Sequence, residues 1–404
     1  MLADDGDVKS RAQQIEQLRE RKDAALKPEQ LNKPESLVRR VQDQDYLRKL
    51  QEGYRGWRVR FGNLATGAGF ALGPEYHRDS LLHGRLRARF SVQGATSLSW
   101  KGESHVEAPR FANGWLGWDF LAAYRNYNRI DYYGPGPDST KGGRSNYRLE
   151  DTSWESQFVL RKLPKSRLGG TVGYSWFNVG PGQRDGIIST DQAFGPALAP
   201  GIDRQTNFLS YGLFYQFDYR DNPLGPKRGG NYVLQQTWYR DQLYGAYGFR
   251  RLDLDLQQYI AFFNGVRRFA IRAKTVLTDT DSPQVVPFYL QPVLGGSDDL
   301  RGFRPYRFRD RNMLVLNGEY RWEVFSGLDG ALFVDGGKVF PRRGMLNFSN
   351  LEGSYGFGLR FNARNSTFLR LDVGFSHEGW QIWFKFNDLF LPRRFGATRQ
   401  QPIY

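Results

Sequence analysis

From residue 54 onward, apolar and polar side chains alternate with a period of two along successive segments of the chain. In the segment 313–325, the apolar face consists of Leu314, Leu316, Tyr320, Trp322 and Val324. The opposite, polar face consists of Asn317, Glu319, Arg321 and Glu323. The same alternation recurs at 251–262, 268–278 and 367–376. It predicts β-strands whose two faces meet different surroundings.

The composition of the two faces favours a membrane-spanning barrel over a soluble sandwich. A sandwich also alternates, but its outward faces would be polar. Here the apolar faces are rich in Leu, Phe, Tyr and Trp, while the opposite faces are rich in Arg, Asp and Gly. Lipid outside and water inside explain this better. Because hydrocarbon offers no partner for a free backbone N–H, the sheet must close. We therefore predict an all-β fold, a 16-stranded antiparallel transmembrane β-barrel.

The alternation and the turn residues between segments place the sixteen strands. The predicted strands are 54–63, 66–78, 83–95, 97–109, 114–128, 146–163, 167–180, 205–220, 229–241, 246–263, 266–279, 312–325, 328–340, 352–363, 367–377 and 380–390. Long Gly- and Pro-bearing loops are predicted at 129–145, 181–204 and 280–311. An even number of strands returns both ends of the barrel to the periplasmic side.

The chain is predicted to divide into an extension (1–53), the barrel (54–390) and a C-terminal tail (391–404). The extension reads as helical, because Val8, Ala12, Ile15 and Leu18 recur at three- and four-residue intervals. Its apolar stripes are narrow, so the helices are expected to dock rather than to fold alone. A mobile periplasmic extension, a plug of the barrel and a partner-docking element stay open as alternatives.

Composition and charge exclude several classes of protein. No stretch approaches the roughly 18 consecutive apolar residues of a spanning helix. Without cysteine, the chain has no disulfide, thiolate zinc site or cysteine nucleophile. The net charge of +15 is dispersed through the strands, so no nucleic-acid partner is expected. His77, His83 and His105 show no metal-ligand spacing, so no metal site and no cofactor are expected.

Three motifs occur in order along the second half of the barrel. The loop before the twelfth predicted strand contains the sequence Gly-Gly-Ser-Asp-Asp-Leu-Arg-Gly-Phe. The last three residues of this sequence are Arg301, Gly302 and Phe303. The thirteenth predicted strand contains Phe333, Asp335 and Gly337. The turn between the eighth and ninth predicted strands contains Asp218, Arg220, Asp221, Pro223, Pro226 and Gly229.

Together these motifs resemble the BamA/TamA superfamily of outer-membrane barrels, also called the bacterial surface antigen family. The family carries a Val-Arg-Gly-Phe/Tyr motif in loop six, a Phe-x-Asp-x-Gly motif on strand 13 and a Pro/Gly turn between strands 8 and 9. Leu300 stands where the family usually has Val. Residues 1–53 lack the βααββ pattern of a POTRA module, so the chain resembles a member without POTRA domains.

Strand parity agrees with the loop-six motif. Glu319, Arg321 and Asp335 all point into the lumen, where Arg301 of an inward-folded loop can reach the carboxylates. The planar fork of Arg suits carboxylates better than Lys does. Hydrated pairs of this kind contribute roughly 0–1 kcal/mol, so their expected role is to hold the loop in one place. The alternative is that Arg301 belongs to a solvated basic loop.

The resemblance implies insertion or transport of proteins or lipids at the bacterial outer membrane. It also implies a lateral seam between the first and last strands, where the outward residues are Trp57, Val59, Phe61, Trp380, Ile382 and Phe384. Expected partners are phospholipid and lipopolysaccharide, together with a periplasmic protein or the protein's own lumen for residues 8–52. No signal peptide is visible, and we expect it to have been removed.

The residues also bear on two alternative functions, a diffusion channel and a lipase. A passive or N-terminally plugged diffusion channel would favour anions, because several inward-facing residues are basic: Arg272, Lys274, Arg360, Arg370 and Lys385. An outer-membrane lipase would need a nucleophile, and Ser376-His377 is the Ser-His neighbour near a strand end. Since no G-x-S-x-G motif or assembled triad is visible, we expect no enzymatic activity.

Overall fold

A computed structural model describes residues 53–64, 67–161, 163–363 and 366–386. Within these ranges, sixteen antiparallel strands form one continuous sheet that curves into a nearly closed barrel. The barrel strands are β1 (Trp57–Asn63), β2 (Phe70–Leu81), β3 (Leu86–Ala95), β4 (Trp100–Phe111), β5 (Leu116–Tyr132), β6 (Ser145–Leu160), β7 (Ser166–Pro181), β8 (Thr206–Asp218), β9 (Gly229–Asp241), β10 (Phe249–Phe262), β11 (Arg267–Asp279), β14 (Asn312–Phe325), β15 (Leu328–Phe340), β16 (Glu352–Ala363), β17 (Ser366–Ser376) and β18 (Gly379–Lys385).

Helical structure in the described ranges is limited to short pieces. One α-helical turn spans Thr190–Ala193. Single 3₁₀ turns lie at Ala112–Gly114, Lys141–Gly143, Phe263–Gly265, Phe288–Leu290 and Arg343–Met345. No helix in the described part of the chain combines the length and apolar character needed to cross a membrane.

The predicted sixteen-stranded, all-β barrel is confirmed, whereas several strand ends were misplaced. The predicted strand 66–78 runs from Phe70 to Leu81, and the predicted strand 97–109 runs from Trp100 to Phe111. Turn residues near these ends also alternate in polarity, so the pattern alone does not locate the strand ends accurately. Residues 1–52, 387–390 and the tail 391–404 lie outside the described residues, and the division of the chain stays a prediction.

The sequence pattern missed a small hairpin inside the loop 280–311. It pairs β12 (Val293–Leu294) with β13 (Phe308–Arg309) in an antiparallel register. Two-residue strands are too short to show any alternation, which is why they cannot be recognised from period alone. This hairpin brings the two arms of the loop together.

Each strand turns one face outward and the other into the lumen. In β15, Leu332 and Val334 are exposed on the outer face, while Phe333 and Asp335 are buried inside. The outward residues near the ends of the sheet, Trp57, Val59, Trp380, Ile382 and Phe384, are exposed as well. An outer surface of aliphatic and aromatic side chains is typical of a barrel that meets lipid.

The two ends of the barrel differ in their connections. The long segments 133–144, 182–205 and 280–311 join strands at one end, which we call the loop end. Mostly tight turns, such as Ser326-Gly327, join strands at the other, the turn end. The longest connection at the turn end is 219–228, which contains the Pro/Gly motif.

A cluster of buried aromatic residues fills the lumen near the loop end, and we call it the aromatic cap. It consists of Tyr132, Tyr147, Phe177, Phe208, Tyr239, Phe249, Phe288 and Tyr289. Phe288, from the loop 280–311, lies with its ring centroid 4.8 Å from that of Tyr147 and 5.1 Å from that of Tyr132. The loop therefore enters the barrel and packs against the strand ends.

A charge placed on the outer face tests the lipid-facing assignment. Val334 lies at the middle of β15 and is 62% exposed, whereas Val324 lies near the turn end of β14 and is 51% exposed. We expect Val334→Arg to lower the free energy of unfolding in lipid vesicles by about 2–4 kcal/mol, and Val324→Arg by about 0–1 kcal/mol. Urea unfolding of both variants measures this, and equal losses would contradict the assignment.

Candidate functional site

The site is built by the loop 280–311, which folds into the lumen against β14 to β18. Gly295 and Gly296 start this descent with φ values of +105° and +109°, a region open to glycine but strained for other residues. A Cβ on Gly295 would lie 2.4 Å from the carbonyl oxygen of Arg304. The tight approach of the two arms therefore requires glycine here.

Arg301 reaches two carboxylates on neighbouring strands. Its Nε donates to Oδ2 of Asp335 at 2.9 Å, and its Nη2 donates to Oδ1 of the same carboxylate at 2.8 Å. Its Nη1 donates to Oε2 of Glu319 at 2.6 Å. The guanidinium also lies 3.4 Å from the ring centroid of Phe333, in cation–π contact. In the structure, the loop that carries Arg301 is therefore folded inward and not solvated at this residue.

These pairs are fully buried, which corrects the expectation of hydrated pairs. The side chains of Arg301, Glu319 and Asp335 have no exposed surface. Burial alone would lower the pKa of Arg301, but Asp335 and Glu319 outweigh it and raise that pKa. In such surroundings, removal of one partner leaves an unpaired buried charge and costs about 3–5 kcal/mol. The loop and Phe333 exclude the water that the sequence interpretation assumed.

Three further charged residues join Arg301, Glu319 and Asp335 to form what we call the lock cluster. They are Arg321, Arg360 and Asp372. Arg321 and Arg360 both donate to Oε1 of Glu319, at 2.7 and 2.8 Å, and Arg360 also donates to Asp372 at 2.7 Å. Three guanidinium groups thus face three carboxylates. A fourth, Arg370, lies 3.2 Å from Asp372 and also pairs with Asp298.

The backbone of the Arg-Gly-Phe motif is bound by the last two strands. Trp383 on β18 donates its indole N–H to the carbonyl oxygen of Arg301 at 2.7 Å. Ser376 on β17 donates its hydroxyl to the carbonyl oxygen of Gly302 at 2.8 Å. A Cβ on Gly302 would lie 2.5 Å from the carbonyl oxygen of Phe375, so only glycine allows this approach.

The remaining motif residues fill space around the lock cluster. Phe303 is fully buried, with its ring centroid 5.3 Å from that of Phe308 and 5.4 Å from that of His377. A Cβ on Gly337 would lie 2.9 Å from the carbonyl oxygen of Leu314 and 3.4 Å from the side chain of Leu300. Gly337 therefore leaves room for the loop to pack against β15.

Two more arginines of the loop bind the loop end, and sequence reasoning assigned them no role of their own. Arg307 donates to Glu378 at 2.8 Å and to the hydroxyl of Ser139 at 2.9 Å. Arg309 donates to the hydroxyl of Tyr147 at 3.0 Å and to the carbonyl oxygen of Phe288 at 2.7 Å. Both arginines are buried, so the alternative of a solvated basic loop does not describe them.

The turn motif lies at the turn end and is not brought together with the lock cluster. Arg220 donates from Nε and Nη2 to both oxygens of Asp218, at 2.8 and 2.7 Å. Oδ1 of Asp221 accepts the backbone N–H groups of Asn222, Lys227 and Arg228. Pro223 accepts from Arg220 through its carbonyl oxygen, Pro226 is buried, and Gly229 has a φ of +94°. The motif shapes this connection.

The first and last strands meet at a seam. Among the described residues, β1 and β18 share no hydrogen-bonded ladder. Phe386, which follows β18, lies with its ring centroid 5.4 Å from that of Phe61 and 6.0 Å from that of Phe70. Ring contacts therefore bridge these strands where a backbone ladder would otherwise close the sheet.

Three of the basic residues predicted to line the lumen have acidic partners. Arg272 pairs with Asp255 at 2.7 Å, and Arg370 pairs with Asp298 at 3.0 Å. Nζ of Lys385 lies 3.6 Å from the same Asp298. The excess of inward-facing basic residues inferred from sequence is therefore matched at these positions by carboxylates.

The chain is similar to known proteins in both sequence and fold. The chain matches the Omp85 superfamily domain over residues 85–387. Its fold is similar to that of BamA from Haemophilus ducreyi lacking POTRA domains 1–3, with 12% identity over 82% of this chain and 69% of that chain and a TM-score of 0.63. It is also similar to CdiB from Escherichia coli, with 15% identity over 81% of this chain and 61% of that chain and a TM-score of 0.53. None of the curated proteins compared matches the chain.

Replacement of Arg301 tests the lock cluster. We expect Arg301→Ala to lower the free energy of unfolding by about 3–5 kcal/mol, because Asp335 and Glu319 would lose a buried partner. The loop 280–311 should also become sensitive to protease. Arg311→Ala is the matched control, since it removes a half-buried arginine at the end of the same loop. Urea unfolding and limited proteolysis measure both effects, and equal behaviour of the two variants would contradict the prediction.

Proposed function

The chain belongs to the Omp85 superfamily, and from this premise we propose that it inserts or transports proteins or lipids at the bacterial outer membrane. The route is a lateral seam between β1 and β18. The observation that carries the proposal is that these two strands share no ladder among the described residues. Backbone groups on such strands can pair with an added strand.

The seam strands are short compared with the rest of the sheet. β1 and β18 have 7 residues each, whereas β5 has 17 and β6 has 16. Short strands bury few hydrogen-bonding groups and shorten the apolar band where they meet lipid. Outward-facing Trp57 and Trp380 on either side of the seam suit a contact with lipid or with an inserting strand.

The inner face of β1 is held by ion pairs that remain partly exposed. Arg58 donates to Glu75 at 2.6 Å, and Arg60 lies 3.2 Å from Glu103. The side chains of Arg58 and Arg60 are 30% and 40% exposed. These pairs join β1 to β2 and β4. Pairs in contact with water contribute about 0–1 kcal/mol, so they add little to the ladder that holds β1 on β2.

We propose phospholipid and lipopolysaccharide as partners of the outer face, in keeping with its exposed aliphatic and aromatic residues. For residues 8–52 we propose either a periplasmic protein or the protein's own lumen as the binding partner. The mature protein is proposed to reach the outer membrane after removal of a signal peptide.

A diffusion channel, open or plugged by the extension, is the second candidate function. The aromatic cap weighs against an open pore, because the loop 280–311 packs into the lumen at the loop end. The partners of Arg272, Arg370 and Lys385 weigh against anion selectivity, because each basic group faces a carboxylate. A lumen that is covered at one end and whose basic groups at these positions are paired is a poor anion path.

We propose no enzymatic activity. The hydroxyl of Ser376 donates to the carbonyl oxygen of Gly302, and Nδ1 of His377 lies 3.5 Å from Glu352. Both side chains have structural partners, and a nucleophile needs its base within hydrogen-bond reach.

Cross-linking of the seam tests the lateral route. The chain has no native cysteine, so Phe61→Cys with Phe386→Cys supplies the only thiols. Joining them with a reducible thiol cross-linker should lower the insertion of an unfolded eight-stranded barrel protein into phosphatidylcholine liposomes to the rate seen without this protein. Reduction of the linker should restore insertion.

A cross-link elsewhere controls for rigidity in general. Leu332→Cys with Phe357→Cys joins β15 to β16 at positions that are already paired and exposed on the outer face. This variant should keep full activity when cross-linked. Full activity of the seam-tethered protein would overturn the proposed route.

Conductance separates the assembly function from the channel. We expect the intact protein in planar bilayers to show no large, steady anion current, because the aromatic cap covers the loop end. A steady anion-selective current in the intact protein would favour the open channel. A current that appears only after deletion of residues 1–52 would favour the plugged channel.

A further inference from the structure

The connections at the turn end carry an excess of exposed basic side chains. Among the described residues of these connections, together with the residue that follows each one, a single exposed residue is acidic, Asp221. Six are basic, and we call them the basic turn residues: Arg85, Arg161, Lys165, Lys227, Arg228 and Arg267. The connections at the loop end, bounded in the same way, contain four exposed basic and five exposed acidic residues among those described. The excess of positive charge therefore belongs to one end of the barrel.

The basic turn residues have no acidic partners within the described part of the chain. None of the six forms an ion pair with a carboxylate there. Asp221 accepts backbone N–H groups of its own connection instead, including those of Lys227 and Arg228. At the loop end, by contrast, Arg343 pairs with Asp279. The charges at the turn end are therefore available to an external anion.

Five of the six described connections at the turn end also expose a large apolar side chain. These side chains are Leu82, Trp115, Leu163, Leu224 and Phe263. The backbone N–H of Arg161 donates to the carbonyl oxygen of Trp115 at 2.9 Å, so two neighbouring connections place a cation beside an indole. The guanidinium of Arg267 lies 5.2 Å from the ring centroid of Phe263. Apolar and basic groups side by side are typical of a membrane interface, where the apolar group enters the acyl boundary and the charge meets phosphate.

Two connections contribute to one local group of these residues. A Cβ on Gly265 would lie 3.8 Å from Cδ of Lys227, so the side chain of Lys227 reaches the connection that carries Phe263. Lys227 and Arg267 thus place two cations near one aromatic ring. An acidic protein surface would account for the cations but leave exposed Leu224 and Phe263 unexplained. A leaflet of anionic lipid accounts for both.

We propose that the basic turn residues and their apolar neighbours bind anionic phospholipid in the leaflet that the turn end meets. The basic groups receive the headgroup phosphates, and the apolar groups hold the connections at the level of the headgroups. The proposal rests on the membrane location within the proposed function and is independent of the lateral seam. Because client insertion can proceed without any preference among lipids, failure of one proposal leaves the other standing.

Lipid selectivity tests the proposal. Full-length protein is reconstituted in phosphatidylcholine, and the relative affinities of spin-labelled phosphatidylglycerol and phosphatidylcholine are measured from the immobilised lipid fraction. We expect a preference for phosphatidylglycerol of about fivefold or more, weakening as salt is raised. A fourfold variant at the turn end should lower this preference to about twofold or less. It combines Lys165→Gln, Lys227→Gln, Arg228→Gln and Arg267→Gln.

The matched control removes the same charge at the loop end. It combines four exposed basic residues, Lys141→Gln, Arg204→Gln, Arg240→Gln and Arg342→Gln, and should keep the preference of the parent. Heat-dependent mobility on denaturing gels shows that each variant forms a folded barrel.

Three outcomes would overturn the proposal. Equal loss in both variants would show that selectivity follows total charge. Loss of the preference on addition of excess inorganic phosphate at constant ionic strength would assign the residues to free phosphate. Absence of any preference in the parent would leave an acidic protein as the partner of this surface.

Discussion

The burial of Arg301 is the constraint on which the rest of the site depends. A guanidinium without water needs carboxylates, and Asp335 and Glu319 provide them from adjacent strands. To bring Arg301 there, the loop 280–311 must turn inward, and its descent places Phe288 in the aromatic cap. One buried ion-pair network therefore helps to place the loop in the lumen near the loop end, where Phe288 packs in the aromatic cap.

Two blocks of charged contacts lie beside the seam. The lock cluster and the backbone contact of Trp383 tie the loop to β14 through β18. At the other edge of the sheet, Arg60 pairs with Glu103 and so joins β1 to β4. Between the two blocks lies the seam, where the described residues show ring contacts and no ladder. Each block thus ties one edge of the sheet to strands on its own side of the seam.

Much of the fold could be predicted because lipid and lumen impose a period of two on every strand. Parity alone placed Glu319 and Asp335 inside. Parity cannot give the register between strands or the position of a loop. It therefore could not show that Asp372 pairs with Arg360, or that Trp383 donates to the backbone carbonyl of Arg301. For the same reason the lock cluster was wrongly expected to be hydrated. Water is excluded only once the loop is in place, and no local sequence pattern indicates this.

The difference in burial between the two blocks indicates which side of the proposed seam moves. β18 is bound to the loop through Trp383, and its displacement would leave the buried carbonyl oxygen of Arg301 without its partner, at a cost of about 1–3 kcal/mol. Each seam strand also shares a ladder of seven residue pairs with its neighbour, so the ladders do not distinguish the two sides. The ion pairs of β1 already contact water, and their loss costs about 0–1 kcal/mol each. In the proposed lateral route, opening at the lower cost would therefore displace β1 and leave β18 and the lock cluster in place. On this proposal, the loop would be the fixed wall past which an added strand or lipid moves.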